Sequence, residues 1–274
     1  MKVVLSIAGS DSSGGAGIQA DLKTMCAHGV FGMTAITAMT AQNTMGVTDI
    51  MESTPRFMAE QIDACLSDIP ADAVKIGMLP SVDLLEVVVE KLKKYGIKNI
   101  VTDPVMVSTS GSSLMENSTS ARMAEILFPI STVITPNIPE TEVLLGRTVS
   151  NKAEMEQASI ELGEKYGCAV LVKGGHSIED ANDVLYVNGK VVWFEGRHID
   201  NPNTHGTGCT LSSAIASNLA LGYDLVQSVK NSKDYLSRAI GAFLDLGQGA
   251  GPMNHMVPAD GDIVISDKRE WALR

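Results

Sequence analysis

The chain has 274 residues, of which 45% are apolar, 19% are charged and 4% are aromatic. This length fits one large α/β domain or two small domains, with a core that rests on aliphatic side chains. The formal net charge is −11 and no run of Lys or Arg offsets it, which argues against nucleic acid as a partner.

The cysteines and the N-terminus favour a cytoplasmic protein. The first residues, MKVVLSIAGS, form a short apolar run that enters a polar Gly/Ser segment, which is not typical of a signal peptide. No apolar run approaches the roughly 18 residues of a membrane span, so we expect no membrane association. The cysteines show neither close pairing nor the spacing of metal ligands, and we expect reduced thiols at Cys26, Cys65, Cys168 and Cys209.

Short apolar runs alternate with helical periodicity along the chain, which indicates βαβ units and a mostly parallel sheet. Strands are predicted at residues 2–8, 31–38, 73–76, 99–102, 132–135 and 168–172. Helices are predicted at 16–28, 55–67, 81–94, 207–221 and 224–243. Asn188-Gly189 predicts a hairpin between 183–188 and 190–195. Because no linker interrupts the pattern, we expect one domain over residues 1–250 and an undetermined tail over 251–274.

Polar and Gly-rich segments follow the predicted strands. In sheets of this kind ligands bind beyond the carboxyl ends of the strands, so we expect these segments to meet in one site. The alternative is that they are ordinary polar loops. The segments are residues 9–17, 42–46, 77, 103–111, 136–140, 173–176 and 203–209.

The strongest functional signal is a Gly-rich turn that opens directly into a helix, Thr204-His-Gly-Thr-Gly-Cys209. Gly206 and Gly208 allow a tight turn and a close approach to a ligand. The N–H groups of residues 206–209, Thr207 included, are then expected to face an anion at the positive end of the helix dipole. That arrangement suits a phosphoryl group in transfer. The structural alternative is an ordinary capped helix.

Cys209 is a candidate catalytic residue. A thiol at a helix N-terminus has a lowered pKa, so a Cys209 thiolate is a candidate general base for a substrate hydroxyl, or a nucleophile. His205, four residues upstream, is a candidate partner. The alternative is a small, buried apolar cysteine.

The turn resembles the G-A/T-G-D/C signature of ribokinase-like kinases, in which the last residue is usually an Asp that serves as catalytic base. Cys209 in that place resembles the version found in hydroxymethylpyrimidine/phosphomethylpyrimidine kinases. The resemblance implies a ribokinase-like three-layer sandwich, with a mostly parallel central sheet flanked by helices and a small mobile flap at 103–111. It extends over residues 3–250 through AGSDSSGGAGIQADLKT (8–24), TAQNT (40–44), KIGM (75–78), DPVMV (103–107) and KGGH (173–176).

The resemblance also implies which residues bind ATP and metal. Asn137-Ile-Pro-Glu140 is similar to the superfamily's N-x-x-E motif, which places Glu140 near Mg²⁺ and Asn137 near the nucleotide phosphates. Asp103, at another strand end, is a second metal candidate. Lys173 is an expected ATP contact, since its ammonium group is a point charge for phosphate. Thr204 and His205 are expected in the same nucleotide-binding region, and a monovalent cation is a further candidate cofactor.

For the substrate, the resemblance points to Gln42, because the family's Gln in T-A-Q-N-T contacts the substrate ring. Its amide offers donors and an acceptor that match the edge of an aminopyrimidine. Further substrate-pocket residues by resemblance are Asp21, Gly9, Met78 and Val107. Some relatives that phosphorylate pyridoxal carry a Cys in the flap, and its absence here weakens a pyridoxal role.

The resemblance implies an ATP-dependent kinase of thiamin biosynthesis, expected as a cytoplasmic homodimer. It is expected to phosphorylate 4-amino-5-hydroxymethyl-2-methylpyrimidine, and then to convert the monophosphate to the diphosphate. The nearest alternative is a pyridoxal or pyridoxine kinase on the same fold. A cysteine-dependent hydrolase or acyltransferase using Cys209 and His205 is a second alternative, for which no Asp or Asn partner can be assigned. A non-catalytic nucleotide or metabolite sensor is a third, and it conflicts with the complete set of site residues.

Overall fold

A computed structural model describes residues 1–106, 117–175, 181–196 and 198–261. Val107, His176 and the part of the expected flap beyond residue 106 lie outside these described residues. Within them, no helix is long and apolar enough to cross a bilayer.

The described residues form nine strands and eight α-helices. The strands are β1 (Val3–Asp11), β2 (Phe31–Asn43), β3 (Gly46–Glu52), β4 (Ala73–Ile76), β5 (Ile100–Thr102), β6 (Val133–Ile134), β7 (Ala169–Lys173), β8 (Asp183–Val187) and β9 (Lys190–Phe194). The helices are α1 (Gly17–Ala27), α2 (Pro55–Leu66), α3 (Val82–Lys94), α4 (Asn117–Ile126), α5 (Ile138–Leu145), α6 (Lys152–Tyr166), α7 (Thr207–Leu221) and α8 (Leu225–Gly241).

All nine strands belong to one sheet with the order β3-β2-β1-β4-β5-β6-β7-β8-β9. The five strand pairs between β2 and β7 in this order are parallel, and the outer pairs β2–β3, β7–β8 and β8–β9 are antiparallel. The predicted mostly parallel sheet is therefore confirmed. Strand β1 lies between β2 and β4, because the chain adds β2 and β3 on one side of β1 and all later strands on its other side. The direction in which strands are added therefore switches at β1. Ligands bind beside such a switch point.

Helices cover both faces of the sheet and make three layers. One apolar core lies between the sheet and α2, α3, α4 and α6. The second lies between the sheet and α1, α7 and α8. Because the central strands are buried on both faces, β4 is apolar apart from Lys75, and all four of its residues are buried. The predicted three-layer α/β class is confirmed.

Helix α7 is narrow enough to pack closely against the sheet because its sequence, TGCTLSSAIASNLAL, is rich in Ser and Ala. Every residue from Thr210 to Ala220 is buried. The hydroxyls of Ser212 and Ser217 donate to the carbonyls of Gly208 and Ser213 one turn earlier, so they add no unpaired polar group to the core. This packing fixes the N-terminus of α7 over the carboxyl ends of the strands.

Several elements differ from the sequence prediction. Strand β2 extends to Asn43 because it pairs with β3, which was not predicted since the turn between them lacks a recognised hairpin dipeptide. Helices α4, α5 and α6 were also missed. The caps of the last two were readable: Asn137 and Glu140 form a capping box before α5, and Asn151 caps α6. The predicted hairpin of β8 and β9 is confirmed, with positive φ at both Asn188 and Gly189.

The chain just beyond residue 250 packs against the sandwich. Pro252 forms a bridge with His205, and the N–H of Asn254 donates to the carbonyl of Ala239 in α8. The imidazole Nε2 of His255 lies 2.9 Å from the hydroxyl of Thr210 in α7. These contacts hold the start of the expected tail to both α7 and α8.

Asp21, which was predicted to lie in the substrate pocket, is fully buried in the fold. Its carboxylate and the Lys75 ammonium are fully buried as an ion pair, with Nζ 2.9 Å from both oxygens. Ser6 of β1 and Ser213 of α7 donate their hydroxyls to the same carboxylate. The sequence pattern around Asp21 is thus explained by packing, because this one group ties α1, β1, β4 and α7 together.

Lys75→Met is expected to destabilise the fold strongly, because it leaves the Asp21 carboxylate buried without its counter-charge. Breaking a buried pair costs about 3–5 kcal/mol. The control is Lys2→Met, which removes a half-exposed pair with Asp72 and costs about 1 kcal/mol or less. Urea unfolding checks both variants. Equal losses in the two would show that the buried pair contributes no more than the surface pair.

Candidate active site

A cavity of about 710 Å³ opens at the carboxyl ends of the parallel strands. The strand-end segments meet there, as the switch-point argument requires. Among the candidate residues only Asp21, which lies behind the cavity wall, and Val107, which is not described, are absent from its lining. Those that line it are Gly9, Gln42, Met78, Asp103, Asn137, Glu140, Lys173, Thr204, His205, Gly206, Thr207, Gly208 and Cys209.

The Gly-rich turn before α7 is held in a conformation that requires glycine. Gly206 has a φ of +86°, and a Cβ there would lie 2.0 Å from the carbonyl oxygen of Gly15. The loop after β1 therefore packs directly on the turn. The N–H of Thr207 was expected to face a ligand, but it donates instead to the carbonyl of Thr204.

The N–H groups of Gly208 and Cys209 remain at the positive end of α7. The helix's hydrogen-bond ladder begins later, where the N–H of Thr210 donates to the carbonyl of Gly206. A Cβ on Gly208 would lie 3.0 Å from Oδ2 of Asp103 and 3.5 Å from Nζ of Lys173. The helix terminus thus faces a lysine and a carboxylate across the cavity.

Lys173 and Asp103 form an ion pair at the ends of β7 and β5, with Nζ 2.8 Å from Oδ1. The hydroxyl of Thr135 donates to the same oxygen over 3.0 Å. Burial alone would lower the pKa of Lys173, but the charges of Asp103 and Glu140 outweigh it and hold that pKa above its ordinary value. The lysine therefore stays cationic inside the cavity.

Glu140 caps the start of α5 from within the cavity. Its carboxylate accepts from the N–H of Asn137, and the Asn137 side chain accepts in turn from the N–H of Glu140. Burial, together with the negative charge of Asp103, raises the pKa of Glu140 well above its ordinary value although Lys173 opposes the shift. The negative charges of Asp103 and Glu140 thus both act on Lys173. A divalent cation would reduce the repulsion between these two carboxylates.

The expected lowering of the Cys209 pKa is contradicted. Burial raises the pKa of this thiol to about 11, and the negative charges of Asp21 and Asp103 add to the effect. Lys75 and an N–H donated by Gly17 act in the opposite direction but are outweighed. The helix-dipole rule was therefore insufficient, since desolvation in this enclosed site is the larger effect.

His205 has an acidic partner that the sequence did not reveal. Its Nε2 lies 2.8 Å from Oδ2 of Asp11 and 3.3 Å from Nε2 of Gln42. Burial would raise the pKa of Asp11, but hydrogen bonds from His205, Ser13 and Ala16 hold it well below its usual range. The pairing places His205 beside the residue expected to contact substrate.

Two further charged residues of the cavity were missed. Lys233 of α8 lies 2.5 Å from Oδ2 of Asp183 in β8, and the other oxygen of Asp183 accepts from the N–H of Gly174. Both line the cavity beside apolar residues of α8, such as Leu236 and Ile240. No local motif marks this pair, because its members are 50 residues apart and meet only through packing.

A three-layer sandwich with a Gly-rich helix N-terminus facing lysine and carboxylates at a switch point is the arrangement of the ribokinase-like small-molecule kinases. Solved structures agree. The phosphomethylpyrimidine kinase of Clostridium difficile matches with a TM-score of 0.79 and 44% identity, over 88% of this chain and 100% of that chain. A Bacillus subtilis pyridoxal kinase in complex with ADP matches with a TM-score of 0.87 and 36% identity, over 93% and 97% of the two chains.

Sequence comparisons then give the family. The family described as phosphomethylpyrimidine kinase matches residues 11–254. A hydroxymethylpyrimidine/phosphomethylpyrimidine kinase of Rhizobium meliloti is 44% identical over 257 residues, which cover 92% of this chain and 96% of that protein. A thiamine biosynthesis bifunctional protein of Geobacter sulfurreducens is also 44% identical, and this chain spans 53% of its length. The chain belongs to the phosphomethylpyrimidine kinase family of phosphotransferases.

Gly206→Ala is expected to reduce phosphoryl transfer by about 100-fold, because the displaced turn misplaces the anion-binding N–H groups. Gly222→Ala at the other end of α7 is a matched control. It has a φ of +99° but no atom within 4 Å of an added Cβ, so both variants carry the same backbone strain of about 1–2 kcal/mol. Steady-state kinetics and thermal melting check this. Similar activity in the two variants would rule out a special role for the turn.

Proposed function

We propose that this protein transfers the γ-phosphoryl group of ATP to the hydroxymethyl group of 4-amino-5-hydroxymethyl-2-methylpyrimidine, and then phosphorylates the monophosphate to the diphosphate in thiamin biosynthesis. The observation that carries the proposal is that Gly208, at the N-terminus of α7, lies beside the Asp103–Lys173 ion pair in one cavity. The names of the relatives supply the substrate class, and the ADP complex of the pyridoxal kinase supports ATP as co-substrate.

The phosphate-binding end of the cavity combines fixed donors with a cation. The N–H groups of Gly208 and Cys209 stabilise charge on the moving phosphoryl oxygens, and Lys173 binds the nucleotide phosphates. Because the donors are held by α7, they need no reorganisation when charge develops. Asn137, Thr204 and the Asp183–Lys233 pair line the same cavity and complete the nucleotide side.

The carboxylates of Glu140 and Asp103 suit a hard divalent cation such as Mg²⁺, which prefers oxygen ligands. No group of three His, Cys, Asp or Glu residues that could hold a metal occurs among the described residues. Glu140 and Asp103 would therefore hold Mg²⁺ with help from water and nucleotide phosphates. When bound, the ion neutralises phosphate charge.

The substrate end lies at β1, β2 and β4, where Gly9, Gln42 and Met78 line the cavity. Gln42 offers amide groups to the ring edge, while Gly9 and Met78 leave an uncharged surface for the ring. Cys209 lines the same cavity. We place its thiol where the substrate hydroxyl loses its proton, with general base as its role.

Two of the alternative functions are weaker on structural grounds. The cysteine hydrolase gains an acidic partner for His205 in Asp11, but it leaves the convergence of Lys173, Asp103 and Glu140 on the Gly-rich turn unexplained. A sensor without catalytic power is not supported by a site in which lysine, carboxylates and anion-binding turn converge. Pyridoxal kinase has only weak support, which comes from the similarity to the Bacillus subtilis structure.

We also propose a homodimer in a reducing, cytoplasmic compartment. The four cysteines are free thiols, as expected where disulfides do not form. Met39, Ile50 and Met51 expose apolar surface at the β2–β3 edge of the sheet, which suits contact with a second copy.

The substrate proposal is tested by incubating the protein with Mg·ATP and, separately, the hydroxymethylpyrimidine, its monophosphate and pyridoxal. We expect product masses that correspond to the monophosphate and the diphosphate from the first two. Pyridoxal phosphate as the sole product would keep the fold and the phosphate site but would overturn the substrate assignment.

A general-base role for Cys209 predicts a specific pH dependence. With a thiol pKa of about 11, the thiolate fraction and hence kcat/KM should rise about tenfold per pH unit between pH 7 and 9. Cys209→Ala is expected to lose about 100- to 10,000-fold in kcat. A flat profile together with near-normal turnover in Cys209→Ala would leave Cys209 only the anion-binding role of its N–H.

A further inference from the structure

The side-chain amide of Gln42 lies between two polar groups whose proton positions can be deduced. Its Oε1 is 3.1 Å from the hydroxyl oxygen of Thr40, and its Nε2 is 3.3 Å from Nε2 of His205. Amide oxygen and nitrogen are nearly indistinguishable by shape, so their assignment must follow from the hydrogen-bond network. The neighbours of Thr40 and His205 decide it.

Asp11 decides the proton on His205. Its carboxylate accepts from the N–H and the hydroxyl of Ser13 and from the N–H of Ala16. These bonds keep it ionised, so it has no proton to donate. The 2.8 Å contact with His205 therefore requires a proton on Nε2, whether the imidazole is neutral or charged. An N–H of Gln42 facing that nitrogen would set donor against donor.

Thr40 fits the same orientation from the other side. Its hydroxyl has one proton, and the carbonyl oxygen of Ser10 lies 3.0 Å away as an acceptor. If the proton goes to Ser10, the hydroxyl can only accept from Gln42. Both neighbours are then satisfied by a single amide orientation, with the Gln42 nitrogen toward Thr40 and its oxygen toward His205.

We propose that Thr40, His205 and Asp11 are positioning residues that hold the Gln42 amide in this one orientation and thereby set the specificity of the substrate pocket. The inference rests on the proposed function, in which Gln42 contacts the ring. One amide N–H and one lone pair of the amide oxygen then remain for ligand. This pair matches an aminopyrimidine edge, where a ring nitrogen accepts and the amino group donates.

The fixed orientation makes a chemical distinction. A 4-oxo analogue of the pyrimidine presents a ring N–H and a carbonyl, which is the reverse order of donor and acceptor. An amide free to rotate by half a turn would bind both compounds, whereas a held amide rejects the analogue because its polar groups are left unpaired. Thr40 and His205 thus act on specificity through Gln42, without touching the reacting atoms.

A double-mutant cycle with Thr40→Val and Gln42→Ala tests the proposal in the whole protein. Thr40→Val should raise KM for the aminopyrimidine about fivefold, as expected for one lost hydrogen bond, leave kcat unchanged, and reduce discrimination against the 4-oxo analogue. In the Gln42→Ala background the same change should have no further effect. An equal rise in KM in both backgrounds would mean that Thr40 acts independently of Gln42.

Two controls separate positioning from a general structural effect. Thr48→Val removes a hydroxyl that donates to the carbonyl of Ala41, next to Gln42 but away from its amide, and should leave KM unchanged. Thr40→Ser keeps the hydroxyl and should restore the wild-type KM. A rise in KM with Thr48→Val, or no rescue by Thr40→Ser, contradicts the proposal.

The amide orientation can also be measured without substrate. In the ligand-free protein, NMR cross-relaxation from the Gln42 side-chain NH₂ protons should reach Thr40 and not the His205 ring. The opposite result would overturn the inferred orientation. If the wild-type protein fails to phosphorylate the aminopyrimidine, the proposed function falls, while this measurement still decides the orientation.

Discussion

The arrangement of the active site depends on one buried carboxylate, that of Asp21. A charge removed from water is costly unless it is paired and fully hydrogen-bonded. Lys75 on β4, Ser6 on β1 and Ser213 on α7 together meet that requirement. Because these partners come from three elements, the carboxylate is satisfied only when α7 sits correctly over the strand ends. The position of the anion-binding helix terminus is therefore tied to the stability of the fold.

An acidic protein can bind anionic ligands here because its cations are placed locally. Against a net charge of −11, three lysines are paired with aspartates in or behind the cavity: Lys75 with Asp21, Lys173 with Asp103, and Lys233 with Asp183. Pairing keeps Lys75 and Lys173 charged despite burial, as the raised pKa of each shows. Short-range charges of this kind are screened little by salt, whereas the overall field of the surface is screened strongly.

Much of the fold and site could be predicted because parallel strands share one edge. Segments that follow different strands, such as those with Gln42, Asp103 and Lys173, must then lie near one another. The Asp11–His205 contact could not be predicted, because it joins residues 194 apart and depends on how two loops pack. The buried partners of Asp21 could not be predicted for the same reason, since a polar sequence pattern does not reveal whether a carboxylate faces a ligand or the core.

Cys209 shows how a local rule fails when burial is unknown. The helix dipole favours a thiolate, yet desolvation raises the thiol pKa, and the charges of Asp103 and of Asp21 behind the cavity wall add to this effect. This electrostatic setting also accounts for a thiol in place of the superfamily's usual Asp. A further carboxylate would add negative charge where ATP and, under the proposed function, a phosphorylated substrate must bind. Because its pKa is about 11, the thiol is mostly neutral while both anions approach, and under the proposed function the small thiolate fraction is the form that accepts the proton of the substrate hydroxyl.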